Sequence, residues 1–146
     1  ILHGDLKPVN VLLKADPTRI EGMTAKLADF GLSAVIDPDR THMSNYTRGT
    51  PFFIAPELIT NRKATTASDI FSLGVVMWCL YCNNVPYVYG TDGQFRWNPA
   101  FPRFPPHAMV AFVMLAEQCL AREPSARPSA AEVLAKLKEL QGVAKV

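Results

Sequence analysis

The sequence predicts a mainly α fold that opens with a small β-hairpin, and three observations carry that expectation. Two short apolar stretches, residues 9–13 and 25–28, flank a turn-rich segment containing Asp16-Pro17 and Gly22, the punctuation of a hairpin. Residues 70–82 are apolar except for Ser72, which is the length of a buried helix and well short of the roughly 20 residues that span a bilayer. Near the end of the chain, Val133, Leu134, Leu137 and Leu140 recur at helical spacing behind a capping signal.

Taken in order, residues 31–50 show no period and carry Asp37-Pro38-Asp39 and several hydroxyl side chains, so they read as a long loop of functional character. Thr66-Ala67-Ser68-Asp69 has the pattern of a capping box opening the helix of residues 70–82, and Asn83-Asn84 ends it. Residues 87–106 read as irregular, because Gly90, Gly93 and the prolines from Pro86 onward prevent a continuous helix. Residues 108–120 are mostly apolar and are expected to be a largely buried helix. Ser129-Ala130-Ala131-Glu132 is a second capping box, opening a terminal helix that Gly142 stops. No internal repeat or low-complexity segment is present.

Composition excludes several function classes. A chain of 146 residues that is 49% hydrophobic and 19% charged has the material for one core-forming domain and is not a disordered tail. Its 15 basic and 13 acidic residues are scattered, so the net charge of +2 offers no footprint for nucleic acid or for an anionic membrane surface. Three cysteines do not make a disulfide scaffold, and an intracellular, cytoplasmic setting is expected. The start of the chain, Ile1-Leu2-His3, lacks a signal-peptide pattern, an initiator Met and a capping residue, so the chain is expected to be part of a longer one.

Chemistry concentrates in the first thirty residues. Asp5, Lys7, Asn10 and Asp29 are the groups that phosphoryl transfer asks of a protein: oxygen ligands for Mg²⁺, a cation for the migrating phosphoryl group and an acceptor for the hydroxyl proton. Asp5, Lys7 and Asn10 lie within one loop before the first strand, and Asp29 follows the second strand. Pairing of the two strands would bring Asp29 beside Asn10.

His3-Gly4-Asp5-Leu6-Lys7-Pro8-Val9-Asn10 resembles the catalytic loop of eukaryotic protein kinases, Asp29-Phe30-Gly31 the metal-binding triplet, and Ala55-Pro56-Glu57 the end of the activation segment. The resemblance covers residues 1–146 as the C-terminal lobe of a kinase domain, without the N-terminal lobe, and makes residues 29–57 the activation segment. It implies ATP and Mg²⁺ as cofactors and a protein as substrate. Asp5 would accept the proton of the substrate hydroxyl, Lys7 would neutralise the γ-phosphate, and Asn10 and Asp29 would hold the metal. Thr50, in Gly49-Thr50-Pro51, would bridge Asp5 and Lys7, and Leu12 would form the floor under adenine. Lys7 and Thr50 are of the serine/threonine type, and His-Gly-Asp with Ser-Ala-Arg-Pro-Ser is most like the tyrosine-kinase-like group. The same resemblance puts Asp69 on the catalytic-loop backbone and pairs Arg127 with Glu57.

Two departures stand out. Gly4 occupies the place of an arginine that commonly binds a phosphate on the activation loop, so activity is expected not to depend on a phosphate docked there, although Thr41, Ser44, Tyr46 and Thr47 are possible acceptors. A glycine-rich loop, a strand lysine and a helix glutamate have no counterpart; Gly90-Thr91-Asp92-Gly93 lies too late and lacks a following strand pattern. The chain by itself is therefore expected to bind Mg-ATP poorly and not to phosphorylate. The helix that precedes the catalytic loop is missing too, which should leave apolar surface on the central helix. A different class of function, a non-catalytic kinase-like scaffold, has no need of Asp5, Lys7, Asn10 and Asp29 together. Cys79-Leu80-Tyr81-Cys82 has the spacing of half a metal site, but Cys119 and His107 are isolated, so packed thiols are expected. His3 reads as a packed histidine bonded to backbone, and Trp97 among Phe95, Phe101 and Phe104 as a loop pinned by aromatic rings, with a substrate or partner surface as the alternative.

Overall fold

Strands β1 (Val11–Ala15) and β2 (Met23–Leu27) form an antiparallel hairpin in the computed structural model, which describes residues 1–35, 45 and 48–143. Val11 pairs with Leu27 and Ala15 with Met23. The turn between them is organised by Asp16, whose carboxylate accepts from Thr18 N–H at 3.1 Å, Thr18 Oγ1 at 2.6 Å and Thr24 Oγ1 at 2.6 Å. Such local bonding is why Asp recurs at turns. The first strand begins two residues later than expected, because Pro8 opens a short 3₁₀ turn over Pro8–Asn10 closed by Asn10 N–H to Lys7 O at 3.0 Å. Val9 lies in that turn.

Four helices follow: α1 (Pro56–Thr60), α2 (Thr66–Cys82), α3 (Val110–Cys119) and α4 (Ala130–Val143). The mainly α expectation holds among the described residues, with two small antiparallel sheets. Helix α2 is the centre of the fold. Its buried residues, from Ser68 to Cys79, point in every direction around the axis, as expected of a helix that is apolar on all sides. One core packs Leu2, Leu6, Phe53, Ala55, Leu58, Val75 and Trp78; a second packs Ile70 and Met77 against Leu115, Ala116, Cys119 and Val133. The helix begins at Thr66 with Thr65 before it, where Thr65 N–H donates to Ser68 Oγ at 3.1 Å. Asp69 is therefore one position too far along to serve as the reciprocal cap, and its carboxylate is used elsewhere. Asn83, at φ 46 in the left-handed region, closes the helix.

Helices α2 and α3 meet closely at Gly74, where an added Cβ would lie 2.9 Å from Cys119 Cβ and 2.9 Å from Leu120 Cγ. Gly74→Ala is expected to destabilise the fold: overpacking costs about 1–3 kcal/mol, against up to about 1 kcal/mol gained in helix propensity. A lowered midpoint in urea would show it, and an unchanged or raised midpoint would contradict it.

A pair of buried charges joins three segments. Arg127, held by the 3₁₀ turn over Pro124–Ala126, makes a bidentate pair with Glu57 at 2.7 and 2.8 Å. Its other donors reach Ala67 O, Ala121 O and Arg122 O, so all five guanidinium N–H groups have partners. Ser68 Oγ donates to Glu57 at 2.8 Å, and the guanidinium lies 5.1 Å from the centre of the Phe71 ring.

Several expectations need correction. Residues 87–106 are not irregular throughout: β3 (Tyr87–Tyr89) and β4 (Phe95–Trp97) form a second antiparallel hairpin. Gly90-Thr91-Asp92-Gly93 is its turn, with Gly90 N–H donating to Gln94 O at 2.8 Å, so a strand does follow it. Two three-residue aromatic stretches around a Gly-rich turn are the signal that could have identified it. Helix α3 starts at Val110 and buries only one side, through Leu115, Ala116 and Cys119; Val110 and Met114 are exposed. In α4, the Ser129–Glu132 box forms, with Ser129 N–H to Glu132 Oε2 at 2.7 Å and Glu132 N–H to Ser129 Oγ at 3.3 Å. Val133 is buried, but Leu134 is 54% exposed and so stands off the apolar face, and Gly142 lies inside the helix instead of stopping it. The central helix exposes Leu80 and Tyr81, and exposed apolar side chains also lie on the first hairpin, at Leu12, Leu13, Met23 and Leu27. Most of the loop expected over residues 31–50, including Thr41, Ser44, Tyr46 and Thr47, lies outside the described residues.

Candidate active site

The segment before β1 is held open by an aspartate from the central helix. Asp69 Oδ2 accepts from His3 N–H at 2.7 Å and Asp69 Oδ1 from Gly4 N–H at 3.0 Å, which satisfies a carboxylate that would otherwise be costly at the head of an apolar helix. Gly4 has φ 82, a left-handed conformation that suits glycine. The His3 ring fixes the other side: Nε2 lies 3.0 Å from Ala28 O, and Nδ1 accepts from Asp5 N–H at 3.3 Å. These partners require the neutral tautomer with its proton on Nε2. Phe30 meets the His3 ring edge-on at 5.0 Å. His3 is thus a buried histidine bonded to backbone.

Asp5, set in place by this scaffold, is buried and carries the densest polar contacts of the region. Thr50 Oγ1 donates to Asp5 Oδ1 at 2.6 Å, Lys7 Nζ donates to Thr50 Oγ1 at 2.6 Å, and Lys7 Nζ lies 2.9 Å from Asp5 Oδ2. Asn10 Nδ2 donates to Asp5 O at 2.8 Å and to Asp5 Oδ2 at 3.2 Å. Burial raises the Asp5 pKa, but the hydrogen bonds from Lys7 and Thr50, the Lys7 charge and the Asn10 amide together hold it below the ordinary carboxylate range. Asp5 is therefore ionised at neutral pH. Lys7 stays close to solvent, so its charge is available to an anion.

Asp29 and Leu12 do not join this group. The hairpin brings Asp29 close along the backbone, since Ala28 N–H donates to Asn10 O at 2.9 Å. The Asp29 side chain is exposed, in left-handed geometry at φ 59, with Gly31 N–H as its donor at 3.3 Å, and among the described residues it forms no ion pair. Leu12 sits on β1 opposite Lys26 and is 56% exposed.

Asn10 and Asp29 fit a hard divalent cation. The Asn10 amide gives its N–H donors to Asp5, which leaves Oδ1 as an oxygen ligand, and Asp29 supplies a carboxylate that forms no ion pair among the described residues. Mg²⁺ commonly takes one or two protein oxygens and fills its octahedron with water and phosphate. No cluster of three His, Cys, Asp or Glu side chains that could hold a metal occurs among the described residues. Cys79, Cys82 and Cys119 are free thiols; burial pushes Cys79 and Cys119 up to about 11, in keeping with packed groups.

The family model described as protein kinase domain matches residues 1–137. The chain is 33% identical over 138 residues to mitogen-activated protein kinase kinase kinase 12 of Rattus norvegicus, covering 92% of this chain and 15% of that protein. It is 29% identical over 141 residues to serine/threonine-protein kinase A of Synechocystis, covering 92% and 27% respectively. A receptor-like serine/threonine-protein kinase of Arabidopsis thaliana is 38% identical over 95 residues, covering 65% of this chain and 24% of that protein. The chain thus spans about a quarter or less of the length of these relatives. Among the described residues no helix is long and apolar enough to cross a membrane.

Proposed function

Because the chain belongs to the protein kinase domain family, we propose that it is the C-terminal lobe of a serine/threonine kinase that transfers the γ-phosphoryl group of Mg-ATP to a Ser or Thr hydroxyl of a protein. The observation that carries the reading is the chain of contacts Lys7–Thr50–Asp5, with Asn10 against the same carboxylate. In this reading Asp5 takes the proton of the attacking hydroxyl, and Lys7 places its charge on the γ-phosphate. Thr50 keeps both side chains in register. Asn10 and Asp29 would hold Mg²⁺, which when bound supplies positive charge to the phosphate oxygens. Leu12 would lie under the adenine ring, which gives its exposed side chain an apolar neighbour. Residues 29–57 act as the activation segment, and residues 1–146 as part of a larger kinase domain. Assignment to the tyrosine-kinase-like group rests on His3-Gly4-Asp5 and on residues 125–129. A cytoplasmic catalytic domain, with a membrane-anchored parent as one setting, is consistent with receptor-like relatives.

The reading assigns the nucleotide's remaining contacts to an N-terminal lobe outside these 146 residues. Incubated with Mg-ATP and a generic basic protein, the completed domain should label Ser and Thr but not Tyr, whereas the chain alone should give no transfer above background. Turnover by the chain alone that Asp5→Asn abolishes would overturn the division of labour. Absence of transfer by the completed domain would overturn the kinase reading in favour of a scaffold.

A further inference from the structure

A cavity of about 490 Å³ opens where the end of α1 and the link to α2 face the segment before the 3₁₀ turn over Pro124–Ala126. Asn61 and Lys63 line it from the first side, Arg122 and Glu123 from the second, with Glu57 and the rings of Pro56 and Pro124 between them. None of Asp5, Lys7, Asn10, Asp29 or Thr50 takes part.

The two sides are fixed relative to each other before any ligand arrives. The Arg127–Glu57 pair at 2.7 and 2.8 Å ties them together, and Arg127 Nη2 also donates to Arg122 O at 3.0 Å. Asn61 N–H donates to Glu57 O at 2.8 Å, Arg62 turns the chain at φ 52, and the fully buried Ala64 anchors the link directly after Lys63. A site held in this way binds with little ordering cost.

Its charges are unequally engaged. Glu57 is neutralised by Arg127, and all five N–H groups of Arg127 have partners, so neither is open to a ligand. Lys63 and Arg122 are exposed, and among the described residues neither side chain forms an ion pair or a hydrogen bond. The Asn61 amide is equally unengaged, and Arg62 adds a further unpaired cation beside Lys63. Against them the lining sets one free carboxylate among the described residues, that of Glu123. The volume is about sixteen waters' worth, room for several side chains and not just one small ion. Lys63 and Arg122 come from separate segments, so each can take its own anion, and the proline rings between them suit the methylene groups of such side chains.

We propose that this cavity is a docking site for an acidic segment of a partner protein, with Lys63 and Arg122 each pairing with a Glu or Asp carboxylate and Asn61 donating to the same segment. A run of carboxylates supplies two anions at the required separation, whereas a single phosphate supplies one. The site is independent of the kinase reading, because no group assigned to phosphoryl transfer lines it.

Fluorescence anisotropy on the complete protein containing this chain, without ATP, tests the proposal. The probes are a fluorescein-labelled peptide of four Glu residues flanked by Gly, the same peptide with Gln for Glu, and one in which a phosphoserine and a Gly replace two of the Glu residues at nearly the same charge. The Glu peptide should bind at least tenfold tighter than the Gln peptide and no more weakly than the phosphoserine one. An exposed ion pair contributes up to about fivefold in affinity, and charge reversal adds repulsion to that loss. Lys63→Glu with Arg122→Glu should therefore weaken the Glu peptide by about twentyfold or more, with an unchanged melting curve. Lys138→Glu, an exposed control on α4, should change its affinity by less than threefold. Lys63→Gln with Arg122→Gln, expected to weaken binding by about fivefold, serves if the reversals disturb the fold. Equal binding of the Glu and Gln peptides, no binding of either, or equal losses in the double variant and the control would overturn the proposal. A tenfold preference for the phosphoserine peptide would overturn it in favour of a phosphopeptide site.

Discussion

Asp5→Asn in the completed kinase domain should lower kcat by about 10²–10⁴-fold, the range that loss of a positioned general base costs, with little change in KM. The substitution keeps the size of the side chain, and Thr50 Oγ1, 2.6 Å from Asp5 Oδ1, can still donate to the remaining carbonyl oxygen. What is lost is an ionised oxygen able to take the proton of the attacking hydroxyl, together with half of the Lys7 ion pair at 2.9 Å. Steady-state kinetics with a melting curve on the same sample separates this from unfolding. Activity within tenfold of the parent would remove Asp5 from the proposed role. The acid limb of the parent's pH profile gives a second check. A base must be unprotonated to act, and the Asp5 pKa is held low mainly by Lys7 and Thr50 against the effect of burial, so activity should persist to a pH below the ordinary carboxylate range.

Arg127→Ala should cost about 3–5 kcal/mol of folding stability, the cost typical of breaking a buried ion pair from one side. The guanidinium side chain is fully buried and Glu57 is 8% exposed, so the substitution strands a carboxylate away from water with Ser68 and its own backbone N–H still donating to it, and it leaves Ala67 O, Ala121 O and Arg122 O without their donor. Replacing both partners by apolar residues, Glu57→Leu with Arg127→Met, should recover part of the loss, because no charge is left unpaired. Urea denaturation of the parent, Arg127→Ala and the double variant measures both effects, and a cost under about 1 kcal/mol for Arg127→Ala would show that the pair is not a structural support.

The same pair predicts a pH dependence with a definite sign. Burial raises the Glu57 pKa, but hydrogen bonds from Arg127, its own backbone and Ser68, with the Arg127 charge, outweigh it and leave it below its unfolded value. A depressed carboxylate contributes stability that is present above its unfolded pKa and lost as pH falls through the folded one. In Arg127→Ala the burial effect remains while the guanidinium's hydrogen bonds and charge are gone, so this contribution should shrink, and the stability gap between the parent and the variant should narrow as pH falls and Glu57 protonates.

How much of this was legible depended on how local each signal is. The first hairpin, the central helix and the capping box at Ser129 rest on residues within a few positions of one another, and each formed close to where the pattern placed it, with β1 displaced by the 3₁₀ turn that Pro8 opens. The second hairpin escaped because its strands are three residues each and the surrounding prolines read as loop. Leu134 fits the helical spacing of its neighbours yet is exposed, since spacing reveals an apolar face but not what covers it. The site shows the same division: Asp5, Lys7 and Asn10 fall within six residues of sequence, whereas Thr50 and Asp69 were identified by resemblance.

The sequence by itself determined a mainly α chain, a hairpin at its start and the cluster of oxygen ligands and cation around Asp5, because turn residues, periodicity and short spacings act over one or two turns of chain. Only the tertiary structure decided what meets across long separations. It laid Thr50 on Asp5 over 45 residues, Asp69 on His3 over 66 and Arg127 on Glu57 over 70, and it set the rings of Tyr87 and Phe95 beside Thr50. Those contacts follow from burying α2 on all sides: the segments that cover it carry their polar groups with them, and each buried polar group then requires a partner from whichever segment lies next to it.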